Sequence, residues 1–217
     1  MKFHENYLTV FLCVLCAALC VRAYKLSSLL DHSRSSLHDI EESCRTLEEE
    51  IAGKDFDNYI VLNQKGAESS LYDAIDSSKD PVILFVTSLS NCNLCRDKEL
   101  DRWNKAYSSN QAMKLRLIVC EPVGNLAGDK RKLVARANGM AEFPFFLETS
   151  GNFIQDLYLT PEQTPLILVV QNHTVIAAHR PTTELEERSR AFCALVKASV
   201  GRECHEMVRH LDAGSRD

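Results

Sequence analysis

The chain opens on an unbroken apolar run, Tyr7 to Val21, in which Thr9 is the one clearly polar residue. Lys2 precedes this run and Arg22 follows it. Its length lies between the core of a signal peptide and a membrane span, which takes about 17–25 residues. Val21-Arg22-Ala23 also has the small or apolar residues of a signal-peptidase site. The pattern beyond Tyr24 favours an uncleaved anchor over residues 1–24. Leu26, Leu30, Ser33, Leu37, Ile40, Cys44, Leu47 and Ile51 recur at alternating spacings of four and three, the seam of an amphipathic or coiled-coil helix. Charged residues such as Asp31, Arg34, Glu41, Glu42 and Arg45 occupy the other faces, and Gly53 ends the pattern. A stalk helix is therefore expected over 25–54. It either pairs with a copy of itself as a homodimer or packs against the globular part, and the pattern leaves both open.

From residue 55 to 217 the periodicity changes to that of a globular domain. Tyr59–Asn63 reads as a short strand and Ala67–Ser77 as a short helix. Pro81-Val-Ile-Leu-Phe-Val-Thr87 is continuously apolar and β-branched, as in a strand buried on both faces. A helix reaching about Tyr107 comes next, then a strand Lys114–Cys120 and a helix Gly128–Ala137 stopped by Asn138-Gly139. Pro165–Val170 and Thr174–Ala178 predict two strands of a hairpin turned by Gln171-Asn-His173, with a last helix over Thr183–Val200. Strands alternating with helices, then a terminal hairpin and helix, predict an α/β fold: a mixed central sheet with helices on both faces.

Composition adds limits. The 217 residues are 45% hydrophobic and 25% charged, which excludes a disordered or collagenous chain. A net charge of −5 gives no electrostatic footprint for nucleic acid. Of the nine cysteines, Cys13, Cys16 and Cys20 lie in the apolar run and read as small apolar residues. Cys44 falls on the seam, Cys120 in a strand, and Cys193 and Cys204 near the C-terminus. Asn172-His-Thr174 is a sequon within the hairpin turn.

Candidate chemistry sits at Cys92-Asn-Leu-Cys95, where a buried strand gives way to a helix. Residues three apart on a helix are neighbours, so the two thiols can form a disulfide after a small adjustment. At a helix N-terminus the free N–H groups and the dipole favour an anion, which lowers the pKa of Cys92 and supplies a nucleophilic thiolate. Cys95, one turn further, suits a resolving thiol. A zinc site would need a second ligand pair, and Cys204-His205 offers only adjacent ligands, so no metal and no other cofactor is expected. A structural disulfide closing so small a loop would restrict the unfolded chain little. The spacing from Pro81 and Thr87 to Cys92 does not fit a peroxidatic Pro-x-x-x-Thr-x-x-Cys site.

Pro81–Val86, Cys92-x-x-Cys95 opening a charged helix, and Thr164-Pro165 ahead of an apolar strand and hairpin together resemble the thioredoxin-like superfamily. The anchored order and the extra segment between Cys120 and Thr164-Pro165 are similar to the extracytoplasmic TlpA/ResA-type, alkyl-hydroperoxide-reductase-related members. The resemblance covers about residues 58–200. It implies a membrane-tethered thiol–disulfide oxidoreductase outside the cytoplasm, periplasmic in a bacterium, acting on protein thiols and disulfides. Cys92 is then the nucleophile, Cys95 the resolving thiol, and Thr164 and cis-Pro165 the contacts for a bound partner. The alternatives are an interaction module with this fold and no turnover, or a thiol-dependent peroxidase at Cys92. Two departures stand out: Ser90-Asn91 replaces the usual Trp before the first cysteine, and the strand Pro81–Thr87 lacks the family's buried carboxylate.

Overall fold

The structure is a computed structural model that describes residues 2–76, 80–89, 93–110, 113–121, 130–160 and 163–199. Side chains at 2–14, 17, 18, 93–95, 130, 131 and 199 are not among those described. The chain divides into two compact units, Met1–Ser43 and Cys44–Asp217. The first helix, α1, is continuous from Lys2 to Ile51. Among the described residues no helix is long and apolar enough to cross a membrane. The apolar run Tyr7–Val21 falls largely on positions whose side chains lie outside that set.

In the first unit the seam residues Leu26, Leu30 and Leu37 are exposed. The second unit begins with the last turns of α1, where Cys44, Leu47 and Ile51 on the same seam are buried. Gly53 closes the helix at φ +84, a backbone conformation that costs a glycine little. Beyond it, Gly53 N–H donates to the Val175 carbonyl (2.7 Å) and Val175 N–H to that of Lys54 (2.9 Å). These bonds cover an edge strand that would otherwise be open to pairing.

The remaining elements are β1 (Ile60–Asn63), β2 (Glu68–Ser70), α2 (Leu71–Ile75), β3 (Val82–Thr87), α3 (Asn93–Ser109), β4 (Leu115–Cys120), α4 (Lys130–Ala137), β5 (Phe145–Glu148), α5 (Asn152–Asp156), β6 (Leu166–Gln171), β7 (Thr174–His179) and α6 (Glu186–Ser199). The strands form one sheet in the order β2-β1-β5-β4-β3-β6-β7. β3 pairs parallel with β4 and antiparallel with β6, and β7 closes the far edge antiparallel to β6. The order β4-β3-β6-β7, with helix α3 crossing from β3 to β4 and α6 after β7, is the thioredoxin-like core.

Both faces of the sheet centre are covered, which is why β3 and β6 read as continuous apolar runs. Ile83 and Phe85 of β3 pack with Leu100, Trp103 and Ala106 of α3 and Phe192 and Val196 of α6. Val82, Leu84 and Val86 point the other way, toward Leu47 and Ile51 of α1, Leu71 and Ile75 of α2, and Phe153 of α5. Each fully buried side chain of this size stabilises the fold by about 1.5–3 kcal/mol before entropy is counted.

The structure differs from the sequence reading in three places. The stretch read as a helix from Ala67 starts as a strand: Asn63 Oδ1 accepts from the N–H groups of Lys65 (2.9 Å) and Ala67 (3.1 Å), and this turn folds β2 back onto β1. Only Leu71–Ile75 is helical, capped by the Ser70 hydroxyl on Asp73 N–H. Second, β5 and α5 carry no expectation from the sequence, because a four-residue strand following Pro144 shows too little periodicity. Third, α6 begins at Glu186, not at Thr183. The hairpin turn is as expected, with Asn172 (φ +50) and His173 (φ +66) both left-handed.

Candidate functional site

One end of the sheet gathers the chemistry. β3 ends at Thr87, beside Val119 of β4, and Val86 faces Leu166 of β6. That register sets Thr164 and Pro165, the two residues ahead of β6, next to the end of the strand that leads to Cys92. The Thr164–Pro165 bond is cis, as the resemblance implies, and Thr164 is buried. Gln163 ties the approach to it, accepting from Thr160 N–H at 2.7 Å and donating its own N–H to the Thr160 carbonyl at 3.0 Å. Cys95 is in the first turn of α3. Cys92 lies outside the described residues, as does the side chain of Cys95.

Carboxylates missed by the sequence reading border this end. Glu121, directly after β4, is half-buried, and its Oε2 accepts from Leu89 N–H (3.2 Å) and the Ser88 hydroxyl (3.3 Å). Glu148, at the end of β5 and fully buried, accepts from Gly151 N–H at 3.0 Å and from the Ser150 N–H and hydroxyl. Between them Cys120 is a buried free thiol; burial, then the charges of Glu148 and Glu121, raise its pKa well above the ordinary value. Its thiolate, the nucleophilic form, is correspondingly disfavoured.

On α3, Glu99 belongs to a run of charges that reads as a solvated face, yet it is buried. It accepts from the Trp103 indole N–H at 2.9 Å and pairs with Arg102. Trp103 is core, and its one polar atom is satisfied by a residue one turn earlier. Lys98 pairs with Glu186 of α6 at 2.5 Å. A spacing of four between Glu99 and Trp103 was the local signal available.

A second buried polar cluster lies where α1 meets β7 and α6. His179 Nδ1 is 3.1 Å from Glu48 Oε1, and His179 Nε2 is 2.9 Å from the Ser189 hydroxyl. Glu48 also accepts from Arg180 N–H (2.8 Å) and from Arg188 (2.6 Å). Cys44, one turn earlier on α1, is buried, and burial raises its pKa. Cys193 is buried too, with a pKa raised by the same cause, while Cys204 lies outside the described residues.

No family model matches the chain, and no curated protein does. Similar solved structures include the thioredoxin domain of a thiol-disulfide oxidoreductase from Bacteroides vulgatus, at 15% identity over 65% of this chain and 97% of that one, TM-score 0.46. A thiol:disulfide interchange protein from a Bacteroides species shares 16% identity over 66% of this chain and 90% of its own, TM-score 0.46. A thio-disulfide isomerase from Thermus thermophilus shares 15% over 67% and 96%, TM-score 0.45. Strand order and register define the thioredoxin-like fold of this chain independently of those likenesses.

Proposed function

We propose that this protein is a thiol–disulfide oxidoreductase in which Cys92 attacks a disulfide and Cys95 resolves the product. The observation that carries the reading is the β3–β6 register, which brings Thr164 and Pro165 to the strand end from which the chain runs into Cys92-x-x-Cys95. Attack by the Cys92 thiolate on a substrate sulfur gives a mixed disulfide and releases one substrate thiolate. Cys95 then loses its proton, attacks the Cys92 sulfur and frees the second substrate thiol, so two electrons leave the pair and a Cys92–Cys95 disulfide remains. An external dithiol restores the reduced pair. Thr164 offers its backbone to the bound partner, a protein thiol or disulfide.

Residues 1–24 serve in this reading as an uncleaved membrane anchor, with the thioredoxin-like domain outside the cytoplasm. Residues 25–54 form the stalk, whose exposed Leu26, Leu30 and Leu37 leave a face for a second copy. Membrane extraction followed by sequencing of the mature N-terminus tests the anchor, and an N-terminus at Tyr24 would remove it.

Exchange is tested on the full chain by reduction of insulin disulfides. Cys92→Ser is expected to fall to the uncatalysed rate, and Cys95→Ser to trap partners covalently on Cys92. Full activity in Cys92→Ser sinks the assignment. Peroxide consumption without exchange would favour the peroxidase, and neither activity the interaction module.

A further inference from the structure

The seam of α1 has two fates. Cys44, Leu47 and Ile51 are buried within the second unit. Every residue from Leu19 to Asp39 is exposed, and Ile40 is half-buried. Leu26, Leu29, Leu30 and Leu37, at 60%, 68%, 55% and 39% exposure, lie along one stripe of that stretch. Single exposed leucines need no explanation, but a stripe of them does. Helices in proteins draw most of their stability from burying such a stripe, and a single copy leaves this one in solvent. Leu26, Leu30, Ser33, Leu37 and Ile40 recur at spacings of four, three, four and three, the 3.5-residue period that keeps a stripe facing a supercoiled partner helix. A membrane surface covers an amphipathic helix best when its polar face carries Lys and Arg. Here that face carries Asp31, Asp39, Glu41 and Glu42 against Arg34.

We infer that Leu26 to Ile40 pairs with the same stretch of a second copy as a parallel, in-register coiled coil that stops short of Cys44, whose place on the seam is already buried. The inference deepens the anchor reading above and rests on it, because two copies held by residues 1–24 in one membrane meet side by side in the same direction. Ser33 sets the register. In register it faces its own counterpart, and the two hydroxyls can share a hydrogen bond. A slip of one heptad sets it against Leu26 or Ile40, and an antiparallel pairing sets it against Leu30 or Leu37. The residues beside the seam agree: across the parallel pair Leu29 meets Arg34 and Ser36 meets Glu41, so no like charges oppose one another. A stretch about 21 Å long is short for a free coiled coil, so pairing draws on the shared membrane, which raises the effective concentration of the second helix.

The test uses the full chain in its membrane, oxidised briefly with copper phenanthroline, which takes the two electrons of each disulfide formed. Mass spectrometry of the linked peptides separates new links from those through native cysteines. Ser33→Cys should give a dimer joined through residue 33 of both copies, and Leu26→Cys one joined through residue 26. Each should form at least about tenfold faster than a link through Ser35→Cys, on the opposite face of the helix. Adding Leu30→Asp to Ser33→Cys sets two like charges against each other on the seam. It should abolish the link while insulin reduction per molecule stays at the level of Ser33→Cys.

A Ser35→Cys link as fast as the Ser33→Cys link overturns the pairing. So does a Ser33→Cys link to a different protein, a link that survives Leu30→Asp, or no link at all while the anchor is intact. Each of these leaves the anchor and the exchange reading standing. A Ser33→Cys link without a Leu26→Cys link overturns the parallel register. A mature N-terminus at Tyr24 removes the anchor, and this inference with it.

Discussion

The Ser189–His179–Glu48 and Ser88–Glu121 clusters both combine serine with glutamate, and they differ in access. At Ser189–His179–Glu48 the order of groups is that of a nucleophile, a base and an orienting carboxylate. With Nδ1–H donating to Glu48, Nε2 accepts from the Ser189 hydroxyl, as such a triad requires. Yet Ser189 is 1% exposed and His179 3%, and the imidazole stacks on Phe192 with centroids 4.8 Å apart. No acyl group can approach, and the cluster holds α1 to β7 and α6. At Ser88–Glu121 no triad exists, but a half-buried carboxylate borders the approach to a Cys-x-x-Cys pair. Residue types alone would rank the first cluster higher as chemistry. Access reverses the ranking.

The sharpest way to break this comparison is Glu48→Ala. It strands three donors at once: Arg180 N–H, the Arg188 guanidinium, whose buried Nη1 already has no hydrogen-bond partner among the described residues, and the His179 ring. Removing one partner from a fully buried ion pair costs about 3–5 kcal/mol, and solvent at the Arg188 and Glu48 side chains, 28% and 14% exposed, keeps this loss near the lower figure. Urea unfolding should show that loss, while exchange per folded molecule stays at the wild-type level. A stable variant with lost activity would move Glu48 into the chemistry.

Ser189→Ala is the next largest. It removes one hydroxyl and leaves His179 Nε2 buried without its donor, at a cost of about 1–3 kcal/mol. Exchange, and any background esterase rate, should be unchanged. An esterase rate in the wild type that Ser189→Ala abolishes would make the buried triad a second active site.

The contrast also shows which features local sequence can carry. β3, β4 and β6 were legible because burial on both faces turns a strand into a largely apolar run, and β7, an alternating edge strand, because a hairpin turn joins it to β6. The candidate Cys-x-x-Cys pair is read from its spacing and its place after a strand, which are local properties. Glu121 was not: it meets Leu89 only once β3 and β4 pair, 32 residues apart in the chain. Glu48 and His179 are 131 residues apart and carry no local signal at all. The α1 seam was legible over its length, but the pattern does not say what covers it. Tertiary structure buries Cys44, Leu47 and Ile51 and leaves Leu26, Leu30 and Leu37 exposed.

The smallest expected effect belongs to a third cluster, which is open to solvent and so marks the limit of the comparison. Glu186 pairs with Lys98 at 2.5 Å and with Arg190 at 2.7 Å, and its side chain is 30% exposed. The hydrogen bond from Lys98, then that from Arg190, holds its carboxyl at about 2, below the ordinary 4.5. A folded-state pKa below the unfolded one means that the unfolded chain binds the proton first as pH falls. The contribution is therefore fully present above about pH 4.5 and is lost as pH drops toward about 2. Solvent screens an ion pair this exposed, so the effect is small and weakens further with salt. Urea unfolding of Glu186→Gln beside the wild type should show a slight deficit at pH 7 that closes on the acid side. A deficit that stays constant from pH 7 to pH 2 would mean that Glu186 acts through packing and not through charge.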